Sequence, residues 1–166
     1  GAKSSKERQI LLRGLVQIIC VSNFIRDCFL DGLNPEKCDL KKIHNMNCGV
    51  ARRLKSRPVK EPIIFIAGRM VPEKGILEAA LAIANVLPLY PEWKLVIAGA
   101  RRYEDAPAGS YEAKVGKAIA PLGNQAEMLG FIPPDAVRLW QERAAIAACP
   151  SIWQEPLGKV VVEALA

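Results

Sequence analysis

The apolar positions of this chain fall into short unbroken blocks separated by longer stretches with helical spacing. Ile63-Ile64-Phe65-Ile66-Ala67 is such a block, bounded by Pro62 and Gly68. Five apolar residues without alternation suit a strand covered on both faces. Similar strand-like blocks occur near 17–21, 42–45, 94–98, 126–129 and 145–148. Helical stretches lie between them, near 23–31, 75–87 (stopped by Pro88), 111–120, 136–143 and 158–166. Strand and helix in alternation predict an α/β fold: a Rossmann-like parallel sheet with helices on both faces. No repeat of fixed period is visible.

From the Ile63 block onward, a doubly wound sheet orders its four strands third, second, first, fourth. The Ile63 strand then lies beside the Ala145 strand, and the latter has an open edge. An open apolar edge attracts another strand. The expectation is an edge-mediated homodimer, or an edge covered by residues before Lys60.

The connections carry the candidate chemistry. The Ile63 strand leads into Gly68-Arg69-Met70-Val71-Pro72-Glu73-Lys74-Gly75 and then into a long helix. Gly68 permits a tight exit, and Pro72 suits the first turn of that helix. Arg69 and Lys74 bracket the turn, so cations and unpaired backbone N–H groups form an anion site without a metal. Further on stands Glu155-Pro156-Leu157-Gly158-Lys159-Val160-Val161-Val162-Glu163. The Pro-Leu-Gly break is expected to bring Glu155 towards the start of the helix that carries Glu163. Two acceptor-only carboxylates beside a helix start suit a ligand with hydroxyls at one end and an anion at the other, a description that fits a nucleotide-sugar. Ligands of open parallel sheets bind beyond the carboxyl ends of strands where the strand order reverses. That point lies between the Ile63 and Ala145 strands, so the two motifs are expected to converge there.

The two strings in series resemble the donor-binding half of retaining GT-B glycosyltransferases of the large group 1 family. Val21-Ser22-Asn23-Phe24 resembles the family's V-S-x-F segment, Ile43 to Ala51 its hinge stretch, and Leu129-Gly130-Phe131 its L-G-F loop. The resemblance runs from about residue 18 to the last. It implies that residues 1–58 are the tail of an acceptor domain and its hinge, and that 59–166 form part of a nucleotide-sugar domain, the chain being a fragment. It also implies transfer of a sugar from a UDP- or GDP-sugar to a glycan or lipid-linked acceptor, with retention and without a metal.

Each site residue has an implied role. Arg69, Lys74 and Glu155 are the catalytic set, with the two cations neutralising the departing diphosphate. Gly68 and the N–H groups of Leu157, Gly158 and Lys159 assist at the phosphates. Glu155 holds sugar hydroxyls, Glu163 holds ribose hydroxyls, and main-chain groups of Phe131 and Ile132 meet the base. Metal ligands are not expected: the sequence has no Asp-x-Asp pair, and His44 is its one histidine. Leu157 stands where many relatives have Phe, and Cys48-Gly49-Val50-Ala51 departs from the hinge pattern Asn-Gly-Val-Asp.

Plainer roles compete with these. Arg69 and Lys74 could be ordinary surface charges, Glu155 a loop acid, and Glu163 one half of a structural ion pair, since an acid in so apolar a run needs a partner. Gly-Phe after a strand is common punctuation. Trp153 fits a pocket wall or core anchor better than a stacking platform.

Composition narrows the class further. Apolar residues make up 51% of the chain and charged residues 24%, which excludes an intrinsically disordered chain. No apolar run approaches the roughly 20 residues of a membrane span, and no signal-peptide core follows the first residues. The expected location is the cytoplasm, or the inner face of the membrane. The net charge of +6 is uneven: up to Lys60, thirteen Lys and Arg oppose five acids, a balance of +8, and the remainder carries −2. The cluster Arg52-Arg53-Leu54-Lys55-Ser56-Arg57 suits a solvated linker or contact with an anionic membrane. No aromatic interleaves it, so nucleic acid is not the expected partner. Five cysteines without a C-x-x-C pair read as buried or half-buried free thiols, with Cys20 and Cys149 in the core.

Two enzyme readings and one other compete with transfer. A GT-B epimerase or phosphorylase shares the fold, whereas the carboxylate spacing favours transfer. A dinucleotide oxidoreductase requires Gly-x-Gly-x-x-Gly after the Ile63 strand, which Gly68-Arg69-Met70 lacks. A basic nucleic-acid module would show steep salt dependence of binding.

Overall fold

A computed structural model describes residues 4–50, 58–101 and 110–166. The chain divides into two compact units, residues 1–50 with Glu155–Leu157, and residues 51–154 with 158–166. The basic cluster at 52–57, and Ala51 of the hinge segment, lie outside the described residues.

In the first unit, α1 (Ser5–Gly14) and β1 (Ile18–Cys20) precede α2 (Asn23–Leu30) and β2 (Ile43–Asn45). The strands pair in parallel, Ile18 opposite Ile43 and Cys20 opposite Asn45. Leu12, Cys20 and Ile43 form the small core. Burial pushes the Cys20 thiol above its usual pKa, which keeps it neutral. Helix α1 begins with a capping box in which Ser4 accepts from the Glu7 amide and Glu7 accepts from the Ser4 amide.

Basic side chains close helix ends here. Arg8 donates to the carbonyls of Cys28, Phe29 and Asp31 at 2.6, 3.2 and 2.6 Å, closing the end of α2. Lys42 donates to the Leu12 and Leu15 carbonyls at the end of α1. Cations at helix carboxyl ends satisfy orphan carbonyls and oppose the dipole. Part of the early basic excess therefore has a structural use.

The second unit carries the larger sheet. Its elements are β3 (Glu61–Ala67), α3 (Ile76–Val86), β4 (Lys94–Ala98), α4 (Tyr111–Ile119), β5 (Ala126–Gly130), α5 (Pro134–Arg143), β6 (Ala144–Ala148) and α6 (Lys159–Leu165). The strand order is β5-β4-β3-β6, all pairs parallel, which is the expected order.

Alternate residues of β3 and β4 feed two cores. Ile66, Leu95 and Ile97 join Ile76, Ala80, Val115 and Ile119 from α3 and α4 on one face. Ile63, Phe65, Val96 and Ala98 face the other way, against Val137 and Trp140 of α5. Continuous apolar runs are what a strand needs when helices cover both sides.

Helix α5 runs straight into β6 with no residue between them. Arg143, at that junction, donates two bonds to Glu61 at 2.6 and 2.9 Å. Its guanidinium lies 4.6 Å from the Trp140 ring centroid, and Trp140 stacks on the buried Phe65. This fork holds the Glu61 carboxyl below the usual glutamate range. At the same helix end, Lys60 donates to the carbonyls of Gln141 and Glu142.

The fold departs from the sequence expectations in several places. Helix α1 is not among the stretches predicted from sequence, because its polar opening masks a capped helix. Pro72 opens a separate 3₁₀ turn, Pro72–Lys74, and the long helix starts only at Ile76 after Gly75. Cys149 is exposed rather than in the core, because β6 ends at Ala148. Cys28 and Cys48 are exposed as well, so burial describes only part of the thiol set.

Candidate functional site

The segment after β3 is held by main-chain bonds before any side chain is considered. Gly68 N–H donates to the Ala98 carbonyl at 3.0 Å, and Met70 N–H to that of Ala100 at 3.4 Å. Met70 is fully buried and pins the segment, and between it and Gly68 the Arg69 side chain is exposed. The 3₁₀ turn then closes with Gly75 N–H on the Pro72 carbonyl at 2.9 Å.

Gly75 has φ +63°, and a Cβ on it would stand 2.1 Å from the Pro150 carbonyl oxygen. No side chain fits there. Two residues away on each segment, Ile152 N–H donates to the Glu73 carbonyl at 3.1 Å. Lys74 Nζ lies 5.5 Å from the Trp153 ring centroid, within cation–π reach. The segments that leave β3 and β6, neighbours in the sheet, are thus joined at three points.

The exit of β4 is equally tight. Gly99 has φ +139°, and a Cβ there would lie 1.8 Å from the Gly68 carbonyl oxygen. Its N–H donates to the Gly130 carbonyl at 2.7 Å. Gly68, Gly99 and Gly130 therefore stand side by side where three adjacent strands end. Gly68 does not itself need a special backbone conformation: a Cβ on it would meet only Ile76 Cδ1, at 3.8 Å. The tight exit expected at Gly68 is imposed by its neighbour, Gly99.

Beyond β5, Phe131 is 55% exposed, and Ile132 packs into the core around Phe65. Three strand spacings separate β5 from β6, about 14 Å along the sheet edge. At the other end, Gly158 (φ +63°) precedes α6. Lys159 and Glu163 form an i,i+4 ion pair at 3.3 Å. The partner that so apolar a run demanded for Glu163 is its own helix neighbour. Gln141, buried on α5, donates to the Val160 carbonyl at 3.3 Å and ties α6 to α5. Glu155 and Leu157 are half-buried and belong with the first unit.

Within the second unit the structure gathers the Arg69–Gly75 segment and the Cys149–Trp153 segment. Phe131 and Ile132 lie at the same edge of the sheet, beyond the β5 end. Sequence reasoning missed Gly75 and Ile152 as the groups that join the first two segments, and Gly99 as the group between the β3 and β5 ends. A lone glycine directly after a predicted strand was the available signal for Gly99. Among the described residues, no three His, Cys, Asp or Glu side chains gather as a metal site.

A parallel sheet with its connections gathered at the strand carboxyl ends, beside a strand-order reversal, defines a Rossmann-like binding domain. The chain belongs to the glycosyl transferases group 1 family, whose model matches residues 51–166. It is 31% identical over 104 residues to the putative glycosyltransferase YtcC of Bacillus subtilis, covering 63% of this chain and 26% of that protein. It is 32% identical over 108 residues to the lipopolysaccharide 1,2-N-acetylglucosaminetransferase of Salmonella typhimurium, covering 63% and 28%. Among solved structures it is similar to HepE of Anabaena in complex with UDP and glucose. There the TM-score is 0.67 and the identity 20%, over 98% of this chain and 46% of that one. The chain thus spans less than half the length of these relatives, and its fold is that of GT-B glycosyltransferases.

Proposed function

We propose that this chain is the donor-binding part of a glycosyltransferase that takes a sugar from a nucleoside-diphosphate sugar, with retention and without a metal ion. On this reading residues 1–58 are the end of the acceptor domain and 59–166 are donor domain. The observation that carries the proposal is the joining of the Arg69–Gly75 and Cys149–Trp153 segments at the carboxyl ends of two adjacent parallel strands. Family membership and the UDP held by the similar HepE support the donor class.

Expulsion of a nucleoside diphosphate builds negative charge at the bridging oxygen. Cations and N–H groups already in place lower that barrier more than groups that must reorganise. Arg69 and Lys74 take this role, with the N–H groups of Leu157, Gly158 and Lys159. Gly68 keeps the strand exit clear of side chain. Glu155 accepts from donor-sugar hydroxyls. Glu163 accepts from the ribose, since a carboxylate paired to Lys159 through one oxygen keeps lone pairs on the other. Phe131 and Ile132 meet the base beyond the far strand. The acceptor on this reading is a glycan or lipid-linked glycan at the cytoplasmic face of a membrane. Among the described residues no helix is long and apolar enough to cross a membrane.

Calorimetry of the chain with UDP, GDP, ADP and CDP tests the proposal. One diphosphate is expected to bind, and Arg69→Ala and Lys74→Ala are each expected to weaken it about tenfold or more, against an unchanged Lys117→Ala control. Absence of binding to all four, or equal loss in the control, would refute it.

A further inference from the structure

The V-S-N-F segment has no role in the function proposed above, yet its serine is tightly committed. Ser22 is 8% exposed, one of two buried polar residues among the described residues. It precedes α2, where its Oγ accepts from the Ile25 N–H at 3.2 Å. The same hydroxyl donates to the Pro156 carbonyl oxygen, within the same unit of the molecule.

We propose that Ser22 is a positioning residue for the Glu155–Leu157 loop, holding the Pro156 carbonyl through its hydroxyl proton while its lone pair caps α2. A helix cap needs only an acceptor, so Ser, Thr, Asp and Asn all serve. The bond to Pro156 needs a donor, which an ionised Asp lacks. Proline has no N–H and a fixed φ, so its carbonyl is the only polar main-chain handle at that position. Fixing that carbonyl fixes the peptide plane between Pro156 and Leu157. The direction of the Leu157 N–H follows, and so does the path of the chain out of Glu155. The consequence for ligand binding rests on the donor-site reading given above, whereas the tether itself does not.

Hydrogen–deuterium exchange on the full chain separates the two bonds of the hydroxyl. Ser22→Asp keeps the cap and removes the proton, Ser22→Ala removes both, and Ser22→Thr keeps both. The Glu155, Leu157 and Gly158 amides are expected to exchange about fivefold faster in the Asp and Ala variants and at the original rate in Thr. The α2 amides are expected to speed up only in Ala, which marks loss of the cap.

Loop exchange in Ser22→Asp at the original rate would overturn the proposal. So would loop exchange that changes only in step with α2. UDP titrated into the same proteins is expected to bind about fivefold more weakly to Ser22→Asp than to the original chain or Ser22→Thr. If the original chain binds no UDP, the donor-site reading fails, and the exchange rates still decide the tether.

Discussion

Gly75 sits so close to Pro150 that one added methyl group would lie 2.1 Å from the proline's carbonyl oxygen. The two residues are far apart in sequence, and their contact sets how the segments after β3 and β6 meet. With Ile152 N–H on the Glu73 carbonyl, it makes a joint of backbone atoms alone. Backbone against backbone cannot yield as a flexible side chain does.

Gly75→Ala is therefore expected to cost about 3 kcal/mol, from the strained φ and the displaced Pro150 segment together. That corresponds to a fall in Tm of about 10 °C for a chain of this size. Differential scanning calorimetry checks it. Gly68→Ala at the neighbouring exit, where the nearest atom is an Ile76 methyl at 3.8 Å, should cost much less.

Glu61 titrates against Arg143, which lowers its pKa in the folded state, first through the hydrogen bonds and then through charge. Such a group contributes stability above the ordinary glutamate pKa and loses it as pH falls through the lowered folded value. The stability difference between the original protein and Glu61→Gln should thus hold steady from neutral pH down to about 4.3 and shrink below it. Urea melts at pH 7, 5 and 3 measure the difference, and one that grows in acid would contradict the sign.

Glu163→Gln separates structure from binding. The pair joins an exposed Lys159 to a half-buried Glu163 within one helix, so its loss should change stability by only about 0.5 kcal/mol. If Glu163 accepts from the ribose, UDP binding should still weaken about tenfold, and 2′-deoxy-UDP should be affected less. Calorimetric titration of both nucleotides gives the comparison.

Arg8 closes α2 through three carbonyls, a contribution independent of any ligand site. Arg8→Met keeps the apolar stem and removes the donors. It should destabilise the first unit by about 1–2 kcal/mol, read as faster amide exchange at 26–31.

The sheet was largely legible in the sequence because its strands must be apolar on both faces. Ile63–Ala67 and Leu95–Ala98 have no polar residue inside them to confuse the period. Helix α1 was not legible, because its evidence lies in Ser4 and Glu7 reaching back to each other and in few apolar positions. The candidate loops could be listed from sequence, yet their joint could not. Gly75 stood in a recognised string, but that its Cα abuts Pro150 depends on strand order, twist and the length of the 3₁₀ turn. Likewise, Ser22 directly before a helical stretch signals a cap, but nothing in Val21-Ser22-Asn23 marks its bond to Pro156. Long-range main-chain contacts leave no composition or periodicity behind them.

The direct passage of α5 into β6 bears on how this domain can vary over evolution. Arg143 closes the helix and faces Glu61, while Ala144 is already in register with that same residue. One inserted residue here would either detach the fork or slide the strand by a single place, turning Ile146 to the opposite side of the sheet. Related chains should then tolerate gaps and additions elsewhere, and keep this seam free of them.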